Sequence, residues 1–139
     1  MKKLLVALII FLVYGIVSYN LPYDKDKAVE HIESNALSRS HNCCAWFVMR
    51  AMQSGGCPIG ILPAWGYRYV LFMYGFKEVP KSNHVRQKGD IVVFPHIKGH
   101  IFGHIAMWTS KQWMSDFKQK GLIVAKGYEK SDYRYYRHN

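Results

Sequence analysis

Ser40-His41-Asn42-Cys43-Cys44-Ala45-Trp46-Phe47-Val48 places a thiol where a polar segment gives way to an apolar one of helical period. From Cys44 onward, Phe47, Val48 and Ala51 fall at i+3, i+4 and i+7 and make one buried stripe of an amphipathic helix. Asn42 is the expected N-cap and Gly55-Gly56 the expected stop. A thiol in the first turn of a helix lies beside unsatisfied backbone N–H groups and the positive end of the dipole, and both favour the thiolate. That is the form that attacks carbonyls, so Cys44 is the candidate nucleophile. The same residues also fit a buried structural cysteine at a helix start, because free cysteine is among the most buried residue types.

A histidine further along favours the first reading. Gly89-Asp90-Ile91-Val92-Val93-Phe94 and Gly103-His104-Ile105-Ala106-Met107-Trp108 each read as a strand bounded by glycine. Alternation on the second puts His104, Ala106 and Trp108 on one face and Ile105 and Met107 on the other. A cysteine on a helix with a histidine on a later strand is the arrangement of papain-like amidases. There the imidazole takes the thiol proton and later protonates the leaving amine. CCAWFV resembles the cysteine-helix motif of the CHAP and NlpC-type peptidoglycan amidases, and GDIVVF followed by GHIAMW resembles their paired strands. The likeness is strongest to the type VI secretion amidase effectors, in particular their second family, and to the secreted copies domesticated by animals. In that group a Trp-x-Ser-Asp-Phe segment follows the histidine strand, as Trp113-Met114-Ser115-Asp116-Phe117 does here. The resemblance covers residues 35–139.

The resemblance implies a papain-like α+β fold, with N-terminal helices packed on a small antiparallel sheet. It implies Cys44 as nucleophile, His104 as base and then acid, and Asp116 on an adjoining strand as the acid that orients His104. The backbone N–H of Cys44 would be one oxyanion donor. The substrate implied is bacterial peptidoglycan and the bond the D-alanine to diaminopimelate cross-link, with the γ-D-glutamyl to diaminopimelate bond as the alternative. The result would be antibacterial lysis by a monomer that has a cognate immunity protein as a second partner. A reading of another class stays open, a basic, non-catalytic wall-binding or antimicrobial module with Cys44 inert.

At 139 residues the chain is one domain, large enough for a core without metal or disulfide staples. A formal charge of +10 and a sequence pI near 9.6 favour anionic partners. No nucleic-acid-binding motif accompanies that charge, and none for a nucleotide, flavin or catalytic metal, so no cofactor is expected. His96, His100 and His104 lack the helical spacing and interleaved acids of a metal set.

Residues 1–20 are of another kind. Lys2-Lys3 precede an apolar run over 4–17, the pattern of a secretory signal peptide, with cleavage after Gly15 or Ser18, or of an uncleaved anchor. Residues 21–139 would then be a single amidase domain, secreted or periplasmic and free of the membrane once mature. In that oxidising setting Cys43 and Cys57 are a candidate disulfide, leaving Cys44 free, although a straight helix between them would hold them too far apart.

The rest reads as support. Asp24 caps a helix over 25–37 after a linker over 21–23, Pro63 opens a helix over 64–74 that Gly75 ends, and 76–80 is a short edge strand. Ser40 reads as a turn or capping residue, His41 as solvent-facing and Asp90 as a turn residue. Strands are expected over 122–125 and 133–136. The loops over 55–63 and 95–102 are the expected walls of the substrate cleft.

Overall fold

Two faces of one antiparallel sheet organise the chain, and they bury different residues. The computed structural model describes residues 2–20 and 22–139, the side chains of 14–20 excepted. Leu21, in the expected linker, lies outside the described residues, and the expected cleavage positions Gly15 and Ser18 are among those without described side chains. The helices are α1 (Lys2–Asn20), α2 (Lys25–Asn35) and α3 (Cys44–Ser54). The strands are β1 (Phe76–Val79), β2 (Ile91–Phe94), β3 (His104–Trp108), β4 (Trp113–Met114) and β5 (Arg134–His138), in the order β1-β5-β2-β3-β4. All pairings between these strands are antiparallel. This is the expected α+β class with a small antiparallel sheet. Among the described residues, no helix is long and apolar enough to cross a membrane.

Strand alternation distributes the core. Ile91, Val93, Ile105 and Met107 face one side and join Ala28, Val29 and Ile32 of α2 and Val48, Ala51 and Met52 of α3. Val92, Phe94 and Ala106 face the other and pack with Trp113, Tyr128 and Tyr135. Every residue of β2 is therefore buried, which explains its unbroken apolar reading. On α3, Val48 and Ala51 of the expected stripe are buried and Met49 and Met52 widen it.

The helix caps split. Asp24 Oδ1 accepts the N–H groups of Asp26 at 3.0 Å and Lys27 at 3.1 Å, as its position before α2 predicts. At α3 the N-cap is Cys43, not Asn42, and it makes no side-chain capping bond. Asn42 instead takes a left-handed φ of 58°, which aims the chain into the helix.

Three other expectations change. The helix expected over 64–74 is two short 3-10 turns, Ala64–Tyr69 and Leu71–Tyr74, the second closed by Gly75 at φ 87°. Residues 122–125 form no strand; Leu122, Val124 and Ala125 pack irregularly against the second sheet face. Cys43, Cys44 and Cys57 are all free thiols. The 11 residues of α3 separate Cys43 from Cys57, and at 1.5 Å per residue that is about 16 Å, too far for a bridge.

Asp90 is more than a turn residue. It is fully buried and receives Arg137 Nε on Oδ1 and Nη2 on Oδ2, both at 2.8 Å. His84 Nε2 lies 2.8 Å and the Gln87 N–H 2.9 Å from Oδ2. One carboxylate thus ties the start of β2 to β5 and to the preceding loop.

Candidate active site

The cleft is set by how three segments arrive at the start of β3. Gly103, at φ 68°, turns the chain into that strand, and a Cβ there would stand 2.4 Å from the carbonyl oxygen of Phe94. Only glycine fits this approach without shifting backbone. It delivers His104 as the first residue of β3, opposite Phe94 on β2, with 7% of its surface exposed. Cys44 begins α3, and its sulfur lies against the backbone N–H of Ile105, the residue after His104. Both side chains line one cleft of about 540 Å³, together with Ser40, Asn42, His100 and Asp116.

The orienting partner of His104 is Gln119. Its Oε1 lies 2.8 Å from His104 Nε2, and its Nε2 donates to the carbonyl of Gly121 at 3.1 Å. The second bond fixes which end of the amide faces the imidazole. His104 therefore donates from Nε2, and Nδ1 keeps the lone pair that can accept a thiol proton. The chain reaches this arrangement because β4 is only two residues long. After Met114 it turns back on itself: the Ser115 N–H bonds the Phe117 carbonyl and the Gln119 N–H the Trp113 carbonyl, both at 3.0 Å.

Asp116 sits in that turn and does a different task from the one expected. It is fully buried, and Oδ2 accepts the His41 N–H at 2.6 Å, the Ser40 hydroxyl at 3.3 Å and the Cys43 N–H at 3.4 Å. Oδ1 accepts the Ser115 hydroxyl at 3.1 Å. Its own carbonyl accepts the Leu37 N–H at 2.8 Å. Asp116 thus ties down the segment that leads into Cys44, while the hydrogen bond expected from it to His104 is made by Gln119. Ser40 is part of this tether, and His41, with an exposed side chain, contributes only its backbone.

Burial governs the resting charges. It pushes the Cys44 thiol up to about 11, against the opposing pull of the Ile105 and Ala45 N–H groups. The thiolate favoured by a first-turn position is thus outweighed by desolvation. Burial likewise lowers His104, with partial compensation from the Gln119 hydrogen bond and the charge of Asp116. Both shifts favour the uncharged forms, a thiol and a neutral imidazole lining the same cleft.

Of the two walls expected, one lines the cleft, through Gly99, His100, Ile101 and Phe102. Residues 55–63 do not; Gly55 and Gly56 line a separate cavity of about 650 Å³ with Tyr23, Asp24 and His138. Tyr128 joins the cleft from beyond the expected site, its ring centroid 6.3 Å from that of His104. Among the described residues, no three His, Cys, Asp or Glu side chains gather as a metal-binding group.

No family model matches the sequence, and a search of curated proteins returns no match. Solved structures do match. One is the type VI effector-immunity complex Tae3-Tai3 from Ralstonia pickettii, at 31% identity and TM-score 0.77, over 84% of this chain and 100% of the other. The selenomethionine form of the same complex matches at 31% identity and TM-score 0.73, over 80% of this chain and 99% of the other. Tae3 is a type VI amidase effector. Both relatives carry the name Tae3, where the sequence resemblance pointed to the second effector family.

Proposed function

We propose that this chain, which belongs to the type VI amidase effector family, is a cysteine amidase that hydrolyses the D-alanine to diaminopimelate cross-link of bacterial peptidoglycan. One observation carries the reading. Cys44, at a helix start, shares a cleft with His104, whose far nitrogen is held by Gln119. The papain-like descent of this pair is part of the proposal, as is its work beyond the cytoplasmic membrane. In that account residues 1–20 serve export of the domain over 21–139, which acts as a monomer on the sacculus.

The steps follow from the resting charges. A buried thiol near 11 and a neutral imidazole make His104 a general base. Nδ1 takes the thiol proton as sulfur bonds the scissile carbonyl carbon, and the π electrons move to oxygen. The Cys44 N–H, at the open end of α3, donates to that oxyanion. As the C–N bond breaks, the imidazolium returns the proton to the leaving amine. Water, deprotonated by His104, then cleaves the thioester and regenerates the thiol. Asp116 touches none of the reacting atoms; it is a positioning residue for the strand of chain before Cys44. The effector-immunity pairing of the Tae3 relatives supports a cognate immunity protein as the second partner.

The test is digestion of diaminopimelate-type sacculi by the full chain and by Cys44→Ala, with muropeptides resolved by mass spectrometry. Loss of cross-linked dimers that Cys44→Ala does not produce is the expected result. Products cut at the γ-D-glutamyl bond would move the specificity, and unchanged muropeptides would overturn the amidase reading.

A further inference from the structure

The surface beside the cleft is aromatic and stands in water. Ile101 and Phe102, at the end of the cleft wall, are 69% and 65% exposed. The Phe102 carbonyl accepts the Trp65 N–H at 3.2 Å, which pins the turn Ala64–Tyr69 to that wall. Trp65 meets Tyr69 edge-on with ring centroids 6.4 Å apart, and His96 in the same manner at 6.5 Å. Tyr69 is 63% exposed. Arg68, held by Asp132 at 3.1 Å, places its guanidinium 5.7 Å from the Tyr69 centroid. Large rings in water stabilise no core, and a cluster of them against a cleft marks a binding surface.

Its connection to the cleft says what covers it. Phe102 belongs both to the cleft lining and to this patch, so an occupant of the cleft that extends outward runs over these rings. Under the amidase reading, on which this step rests, that occupant is a stem peptide tethered to a glycan strand. The C–H face of a pyranose is apolar and flat enough to lie on an aromatic ring, while its hydroxyl and acetamido rim needs donors at the ring edge. Trp65 and Tyr69 offer the rings, with the guanidinium of Arg68 over the Tyr69 ring and His96 against Trp65 as the nearby donors. Continuity with the cleft through Phe102 is what favours the glycan over a lipid surface. The backbone bond to Phe102 holds the chain at Trp65 against the cleft wall in advance, which lowers the ordering cost of binding. We propose that Trp65, Tyr69 and Phe102 form a carbohydrate subsite that holds the glycan strand while its stem peptide lies in the cleft.

The subsite is tested with the full chain carrying Tyr69→Ala, and Trp65→Ala with Tyr69→Ala, on two substrates. On a glycan-free cross-linked stem-peptide dimer, both variants should stay within about twofold of the parent. On intact sacculi the double variant should lose about tenfold or more, the scale of a lost aromatic anchor. In a Cys44→Ala background, co-sedimentation with sacculi should fall in the same variants. Equal losses on both substrates, no loss on either, or binding to anionic phospholipid vesicles in place of sacculi would overturn the subsite. Should the parent cleave neither substrate, the amidase reading fails while co-sedimentation still decides the subsite. Tyr69→Ala, at an exposed position, provides the answer if the double variant does not fold.

Discussion

Replacing Asp116 by alanine is expected to release the segment that delivers the nucleophile. The carboxylate is fully buried and accepts the His41 N–H at 2.6 Å and the Ser115 hydroxyl at 3.1 Å. Its bonds to Ser40 and Cys43 are longer, at 3.3 and 3.4 Å. Hydrogen bonds to a charged group contribute about 1.5–3 kcal/mol each. Counting only the two short ones, Asp116→Ala should cost about 3–6 kcal/mol, or roughly 10–20 °C in Tm for a chain of this size. Asp116→Asn keeps an acceptor for His41 and should cost about 1–2 kcal/mol. A second readout comes from His104, which burial depresses and the charge of Asp116 partly restores. In Asp116→Asn that restoring charge is gone, so the acid limb of kcat/KM should move to lower pH. Thermal denaturation followed by circular dichroism, with pH profiles of cleavage, measures both. Were Asp116 the group that orients His104, Asp116→Asn would instead cut kcat by about 10⁴ with stability nearly unchanged. That outcome, or an Asp116→Ala protein within about 1 kcal/mol of the parent, refutes the tether.

Gln119→Leu should lower kcat by roughly 10²-fold with little change in KM, and move the acid limb down because the lost hydrogen bond raises His104; an unchanged profile would remove Gln119 from the site. Gly103→Ala, whose Cβ would meet the Phe94 carbonyl, should cost about 1–3 kcal/mol and most of the activity. Gly121→Ala, with nothing within 4 Å, should melt like the parent. Burial alone would raise the Asp90 carboxyl, but Arg137, the Gln87 N–H and His84 outweigh it and hold the group below the usual carboxylate range. Its contribution is therefore complete above the unfolded value of about 3.9 and disappears as pH falls through the lower folded value. Acid titration of Tm reads this directly, and Arg137→Ala, which strips the buried carboxylate of its guanidinium partner and leaves only His84 and the Gln87 N–H on it, should lose about 3 kcal/mol at neutral pH. Iodoacetamide should label Cys44 slowly at pH 7, with a rate that climbs towards the thiol's value of about 11; fast labelling at neutral pH would contradict the thiol resting state.

The elements that carry Cys44 and His104 were legible because periodicity encodes them. A 3.6-residue stripe marked α3, a 2-residue alternation marked β3, and glycines marked where α3 ends and β3 begins. The edge position of β1 followed from its shortness and the proline after it. What sequence could not give was tertiary choice between similar side chains. Asp116 and Gln119 are both polar, both follow the histidine strand, and both end up fully covered. Which one meets His104 depends on β4 stopping at Met114 and the chain turning back, and no local pattern announces that. Asp90 was misjudged for the same reason, because its partner Arg137 is on β5, far along the chain. The thiolate expected at a helix start failed on magnitude, as desolvation of Cys44 exceeds what its neighbouring N–H groups return. The 3-10 turns over 64–74 escaped because their aromatics satisfy helical spacing equally well.

The covalent step is tested most directly by intact-protein mass spectrometry of the full chain mixed with a cross-linked stem-peptide dimer and quenched in acid within milliseconds to seconds. The account predicts an added mass equal to the acyl half of the substrate, mapped to the Cys44 sulfur and absent in Cys44→Ala. An adduct on another residue, or turnover of the dimer by Cys44→Ala, would contradict it.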